Sequence, residues 1–204
     1  MVDKIRIPNQ KRSIETKRQI IEASIGLISE NGYYNTSSNQ ISKTAGVSIG
    51  SFYSYFKDKK QLLIEAIHYY DEQIRKGMET ESVANKSAYS NIVEKETIVY
   101  RFIYSTIQAH KINPAFHREI AAVSILESDI QRLIHEQEKR EMEHIYGLLN
   151  MWASEICIAD LQTASALLFF TVEKVSHAIV FSDSPVEEDK LIKELADMIL
   201  RYLF

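Results

Sequence analysis

The sequence predicts an all-α fold of about nine helices, a small N-terminal three-helix unit followed by a larger helical body. Three observations carry this. Only 6 Gly and 3 Pro occur in 204 residues, too few to punctuate the many tight turns of a β-sandwich or barrel. Apolar residues recur at three-and-four spacing through most of the chain, and no segment alternates apolar and polar residues long enough to read as a strand. Hydrophobic residues make up 45% and charged residues 25%, ordinary for a globular protein, which excludes an acidic disordered chain, a collagen-like repeat and a disulfide scaffold.

The first helix starts at Ser13 or Glu15, with Ile20, Ala23, Ser24, Leu27 and Ile28 on one face. Asn31-Gly32 ends it as a left-handed cap. Hydroxyls of Thr36-Ser37-Ser38 offer caps for a short second helix with Ile41 and Ala45 on one face, and Gly46 breaks it. Ser48 caps a third short helix through Tyr55, placing Phe52 and Phe56 one turn apart. Asp58-Lys59-Lys60-Gln61 has capping-box spacing and opens a fourth helix through about Thr80. Five more amphipathic helices are expected near 90–111, 114–124, 128–151, 160–181 and 186–203. Asn113-Pro114 and Ser184-Pro185 each set a cap residue before a proline at the first helical position.

Compartment follows from similar reasoning. A single cysteine, Cys157, forms no internal bridge; it reads as a small buried hydrophobe in a reducing cytoplasm. No apolar run follows Met1-Val2-Asp3-Lys4-Ile5-Arg6, so no signal peptide is expected. The densest apolar stretch, Ala164 to Val172, is far shorter than the ~20 residues that span a bilayer, and no membrane partner is expected.

Charge is unevenly spread. Residues 1–63 hold 10 Lys/Arg against 5 Asp/Glu, and residues 64–204 hold 14 against 23. A basic segment on an acidic body suits a small polyanion-binding module, although charge alone is equally compatible with a chance surface distribution. Within that segment Ala45-Gly46-Val47-Ser48 joins two short helices. A small residue before the turn, a glycine in it and an apolar plug after it are what a helix-turn-helix needs. The outer face of the second short helix is small and polar, with Ser48, Gly50, Ser51 and Ser54, as insertion into a major groove requires.

The stretch TSSNQISKTAGVSIGSFYSYFKDKKQLL from Thr36, with TKRQIIEASIGLISENGYYNTS before it, closely resembles the DNA-binding region of TetR-family transcriptional regulators over about residues 13–63. The resemblance implies a DNA-binding domain at 1–63 and a helical ligand-binding and dimerisation domain at 64–204. It also implies a repressor that binds a double-stranded palindromic operator as a homodimer and is released by a small-molecule effector. By the same resemblance Ser38 and Asn39 approach DNA, Asn39 at an adenine edge. Ile49, Gly50 and Ser51 open the recognition helix. Family members often carry a polar residue where Ile49 stands, and its side chain offers only an apolar contact, for instance to a thymine methyl. Gly50 lets the backbone approach. Tyr53 and Tyr55 donate to phosphates, or else pack, and Lys59 neutralises a phosphate, helped by Lys57 and Lys60. Lys4, Arg6, Lys11, Arg12, Lys17 and Arg18 either contact DNA or form a solvated basic tail.

In the C-terminal part, Tyr100, Tyr104, Phe116, Trp152 and Phe169 lie on several helices and are candidates to line an apolar effector pocket, with core packing as the alternative for each. The last two helices are apolar on two sides. One stripe holds Leu191, Leu195, Met198 and Tyr202 beside Ile192, Ile199 and Leu203. The other holds Leu161, Leu168, Val175 and Ile179, flanked by Leu167, Phe170 and Ala178. Such helices are buried twice, within their own domain or against a partner, and the resemblance chooses a symmetric four-helix dimer interface.

A different class was weighed on two Glu-x-x-His pairs, Glu65/His68 and Glu141/His144, the motif of a ferritin-like di-iron enzyme. Among 20 Glu and 6 His two such pairs are unsurprising, and Glu65 falls on the helix that the N-terminal unit needs. His135-Glu136 begins a zinc-protease motif, but Lys139 stands where the second His belongs. His110 and His117 flank a proline turn and read as surface residues rather than ligands. No metal, cofactor or catalytic residue is expected.

Overall fold

The computed structural model describes residues 11–83, 93–182 and 185–204. Among them are nine α-helices and no strand: α1 (Lys11–Asn31), α2 (Ser38–Thr44), α3 (Ile49–Tyr55), α4 (Lys59–Val83), α5 (Val93–Ile112), α6 (Pro114–Leu126), α7 (Ser128–Met151), α8 (Leu161–Phe181) and α9 (Glu188–Leu203). Residues 90–92, at the expected start of the fifth helix, lie outside the described residues, as does Ser184.

Local chemistry sets the boundaries. Gly32 ends α1 at φ +83°, and its N–H donates to the Ile28 carbonyl at 2.9 Å. Ser37 caps α2 in a reciprocal capping box with Gln40. Its neighbour Thr36 is buried instead, donating its hydroxyl to the Gly32 and Leu27 carbonyls. Ser48 caps α3 by accepting from the Ser51 N–H. Asp58 accepts from the Gln61 N–H, while the Gln61 side chain reaches one residue further back, to the Lys57 N–H. Pro114 is the first residue of α6, as expected. Pro185 is not the first of α9. It sits in a bend, and Glu187 takes the cap position with no side-chain cap bond. Glu188 and Asp189 in the first turn supply the negative charge that a helix N-terminus favours.

The described residues form two compact units. The first runs to Lys76 and adds Ala115–Leu133, so it is larger than the 1–63 segment. The reason is apolar burial beyond residue 63: Ala66, Ile67 and Tyr70 of α4, and Phe116, Ile120, Val123 and Ile130 of α6 and α7, are all buried. Phe116 meets the Tyr70 ring edge-on at 5.4 Å. The second unit comprises 77–114 and 134–204. Its core gathers Val99, Ile103 and Ile107 of α5, Ile145 and Leu149 of α7, Ala164, Leu168 and Val172 of α8, and the buried stripe Ile192, Leu195, Ala196, Ile199 and Leu203 of α9.

Three expectations change. Cys157 is exposed rather than buried, because the chain around it is non-helical and its backbone N–H is tied to the Leu203 carbonyl. His110 is buried at the end of α5 rather than on the surface. The apolar stretch around Ala164 lies within α8, a helix long and apolar enough by length and composition to cross a membrane, of which 28% of the most apolar window is buried. Core helices satisfy the same test, and α8 packs on α5 and α9.

Candidate nucleic-acid interface

The reading head is built from α2, its turn and α3. At the end of α2 the Gly46 N–H donates to the Lys43 carbonyl and the Val47 N–H to the Ser42 carbonyl, at 3.2 and 3.0 Å. This is a Schellman turn, and its left-handed residue is Gly46 at φ +68°. A side chain there would strain the backbone, which is why the turn carries glycine. Phe52, Phe56 and Ile41 are fully buried and hold the two helices together. Phe52 stacks against Phe56 with centroids 5.7 Å apart.

The opposite face of α3 presents Ile49, Gly50 and Tyr53 to solvent, with Ser51 and Ser54 half-buried. Tyr53 is half exposed, held edge-on against Phe52. Asn39 is exposed and Ser38 half-buried at the start of α2. A Cβ added to Gly50 would meet only the Ser48 hydroxyl oxygen, at 3.9 Å. Nothing inside the chain therefore demands glycine there.

Two residues expected at this surface are placed elsewhere. Tyr55 is 5% exposed, and its hydroxyl pairs with the Ser13 hydroxyl at 3.0 Å inside the domain. That bond uses the phenol to lock α3 onto α1 and takes Tyr55 out of the phosphate-facing set. Lys59 turns inward: its ammonium donates to the Tyr33 and Thr36 carbonyls, both at 2.7 Å, and lies 4.2 Å from the centre of the Tyr33 ring. Burial holds its pKa below the ordinary lysine value. Lys59 thus clamps the turn between α1 and α2. Lys59→Ala is expected to cost about 1.5–3 kcal/mol, the range for hydrogen bonds from a charged donor, and a melting curve checks it. An unchanged melting temperature would mean that the clamp is idle.

The remaining cations divide similarly. Lys60 bridges Glu127 and Asp129, Lys17 pairs with Glu65, and Arg18 pairs with Glu15 and Glu22. Lys11, Arg12, Lys43 and Lys57 are exposed. Lys4 and Arg6 lie outside the described residues.

The C-terminal candidates also separate. Tyr100 and Tyr104 are 45% and 41% exposed on α5, while Trp152 and Phe169 pack half-buried on the second unit's core. Phe116 belongs to the first unit, where it is fully buried against Tyr70. It therefore leaves the pocket set. Of the stripe residues on α8 and α9, Leu168 and Leu195 are buried in the chain's own core, and Leu161, Val175 and Ile179 pack half-buried against it. Leu191 is half-buried. Met198 and Tyr202, with Leu167 and Phe170, are the large apolar side chains that stay exposed on these two helices.

A capped helix, a Schellman turn and a second helix with a small polar outer face, attached to a helical body, define a helix-turn-helix DNA-binding regulator. Comparison with known proteins agrees: residues 20–66 match "Bacterial regulatory proteins, tetR family" and residues 96–203 match "Tetracyclin repressor-like, C-terminal domain". The chain belongs to the TetR family of bacterial transcriptional regulators. The Fatty acid metabolism regulator protein of Bacillus subtilis (strain 168) is 25% identical over 186 residues, covering 89% of this chain and 92% of that one. Among solved structures, a TetR-family regulator from Mesorhizobium loti is similar at TM-score 0.74 and 19% identity, covering 95% of this chain and 97% of its own. The fatty acid degradation regulator FadR of Bacillus halodurans is similar at TM-score 0.69 and 19% identity, with the same coverage. These relatives are regulators and not enzymes, which removes the di-iron reading. Its residues fit it poorly as well: Glu65 is tied to Lys17, and His68 and His144 are exposed rather than aimed into a core.

Proposed function

We propose that this regulator is a cytoplasmic repressor that binds a palindromic operator as a homodimer and is released by a small, largely apolar effector. The observation that carries it is the outer face of α3, where Ile49, Gly50 and Tyr53 are exposed and Ser51 half-buried, with Asn39 exposed on α2. In this reading Asn39 meets an adenine edge, Ile49 a thymine methyl, and Tyr53 and Lys57 phosphates, with Ser38 at the backbone. Lys59 acts on DNA through the turn that it holds.

Gly50 offers the sharpest test, because its glycine has no steric reason within the chain. Gly50→Ala is expected to leave the melting temperature unchanged or raised, since alanine is the better helix former, and to weaken binding to a selected duplex about tenfold or more. Titration of labelled duplex measures it. Undiminished affinity would remove α3 from the DNA surface.

The effector reading rests on Tyr100, Tyr104, Trp152 and Phe169, aromatic side chains on one helical unit, the first three with a polar handle. Two relatives named for fatty acid metabolism and degradation favour an acyl compound. Release follows if the effector binds more tightly to a conformation whose two reading heads no longer match successive grooves. The dimer reading rests on α8, of which only 28% of the most apolar window is buried, and on the exposed Leu167, Phe170, Met198 and Tyr202 of α8 and α9. A second copy covers them.

A further inference from the structure

We propose that His110, Glu173 and His177 form a binding site for one divalent transition-metal ion of the zinc class. α5 and α8 lie side by side in the second unit. His110 Nε2 stands 3.0 Å from Glu173 Oε1, and His177 Nε2 stands 3.2 Å from the same oxygen. One ligand atom from each residue falls within 4.8 Å of the others. In a tetrahedral zinc site, with metal–ligand distances of about 2.0–2.2 Å, neighbouring ligand atoms are about 3.3 Å apart. The two imidazole–carboxylate separations are already close to that spacing.

The tautomer supports a cation. His110 Nδ1 lies 2.8 Å from the Thr106 carbonyl oxygen. A carbonyl only accepts, so Nδ1 carries the proton and Nε2 is the atom that faces the carboxylate. This is the outer-shell arrangement that orients metal-binding imidazoles. A neutral His110 Nε2 would set its lone pair against a carboxylate oxygen. A second proton on His110, or one metal ion shared by all three groups, resolves it. His110 is 6% exposed, and the Phe181 ring flanks both imidazoles at 5.1 and 6.2 Å, so water screens the His110 side of the cluster poorly. Two imidazoles and one carboxylate suit zinc, nickel or cobalt, whereas calcium and magnesium favour oxygen ligands throughout. The sequence holds half of the signal, because Glu173 and His177 are one turn apart on one helix face. The third ligand comes from a helix 63 residues away.

Metal-free full-length protein is dialysed against Zn²⁺ and analysed for bound metal, and Co²⁺ is titrated while visible ligand-field absorption is followed. The expected result is about one ion per chain. Affinity falls at least tenfold in His110→Ala, His177→Ala and Glu173→Gln, and circular dichroism stays unchanged. His135→Ala, which removes an exposed imidazole on α7, leaves it intact. His177 is half-exposed, so its variant keeps the test valid if the buried His110 change unfolds the domain. Binding that is absent at micromolar Zn²⁺, or equal in the wild type and the three variants, would overturn the site and leave a hydrogen-bonded His–Glu–His cluster. DNA binding is not the readout, so failure here leaves the repressor reading untouched.

Discussion

A Phe170→Lys, Met198→Lys double variant is expected to sediment as a monomer and to lose specific operator binding by about 1,000-fold or more. The two side chains are 56% and 50% exposed on α8 and α9, so lysine at either position costs the isolated chain little. In the proposed dimer both would be buried, and two added cations per copy, meeting their symmetry mates, would carry a desolvation cost with no partner to offset it. Specific binding typically exceeds non-specific binding by about 10³–10⁷, a margin built from both half-sites. A monomer reads one. Circular dichroism and the melting temperature should stay near those of the unmodified protein. If the double variant remains a dimer, these helices do not form the interface. If the unmodified protein is a monomer at micromolar concentration, the repressor mechanism falls with the dimer. Leu195→Lys or Val175→Lys is a poorer test, although the sequence stripes favour both positions. Leu195 is 5% exposed within its own unit and Val175 packs on the same core, so either change would disrupt folding before it reports on assembly.

The second large effect is within the reading head. Phe52→Ala should cost about 3–5 kcal/mol, against a total stability of about 5–15 kcal/mol for a typical protein. Phe52 is completely buried between α2 and α3, touches the rings of Tyr53 and Phe56, and positions the exposed face of α3 through its neighbours. DNA binding should disappear together with a cooperative part of the denaturant unfolding curve, while the transition of the second unit persists. A loss below 1 kcal/mol would show that the turn and caps alone hold α3 in place.

Helix positions were legible because their chemistry is local. Ser48, Gly46, Gly32, Asp58 and Pro114 each act within four residues of themselves, and each boundary fell where its cap predicted. Pro185 misled because proline is equally at home in the bend before a helix. The errors at the site share a different cause. Periodicity tells which face of a helix is apolar, but not what lies opposite that face. Tyr55 reads as outward until Ser13, 42 residues away, takes its hydroxyl. Lys59 reads as a phosphate cation until the carbonyls of Tyr33 and Thr36 claim its ammonium. Leu195 and Met198 share a stripe in sequence, yet one faces the chain's own core and the other solvent. His110 looked like a surface residue beside a proline because Glu173 and His177 come from a helix that no local pattern connects to it.

Selection of bound fragments from random double-stranded DNA tests the central claim most directly. The full-length protein should enrich an inverted repeat whose half-site centres lie about one helical turn apart, roughly 34–36 Å, or a whole multiple of it. The same experiment with Gly50→Ala should return the repeat weakly or not at all. Enrichment of no sequence, or of an isolated half-site without symmetry, would contradict a dimeric reader of palindromic DNA.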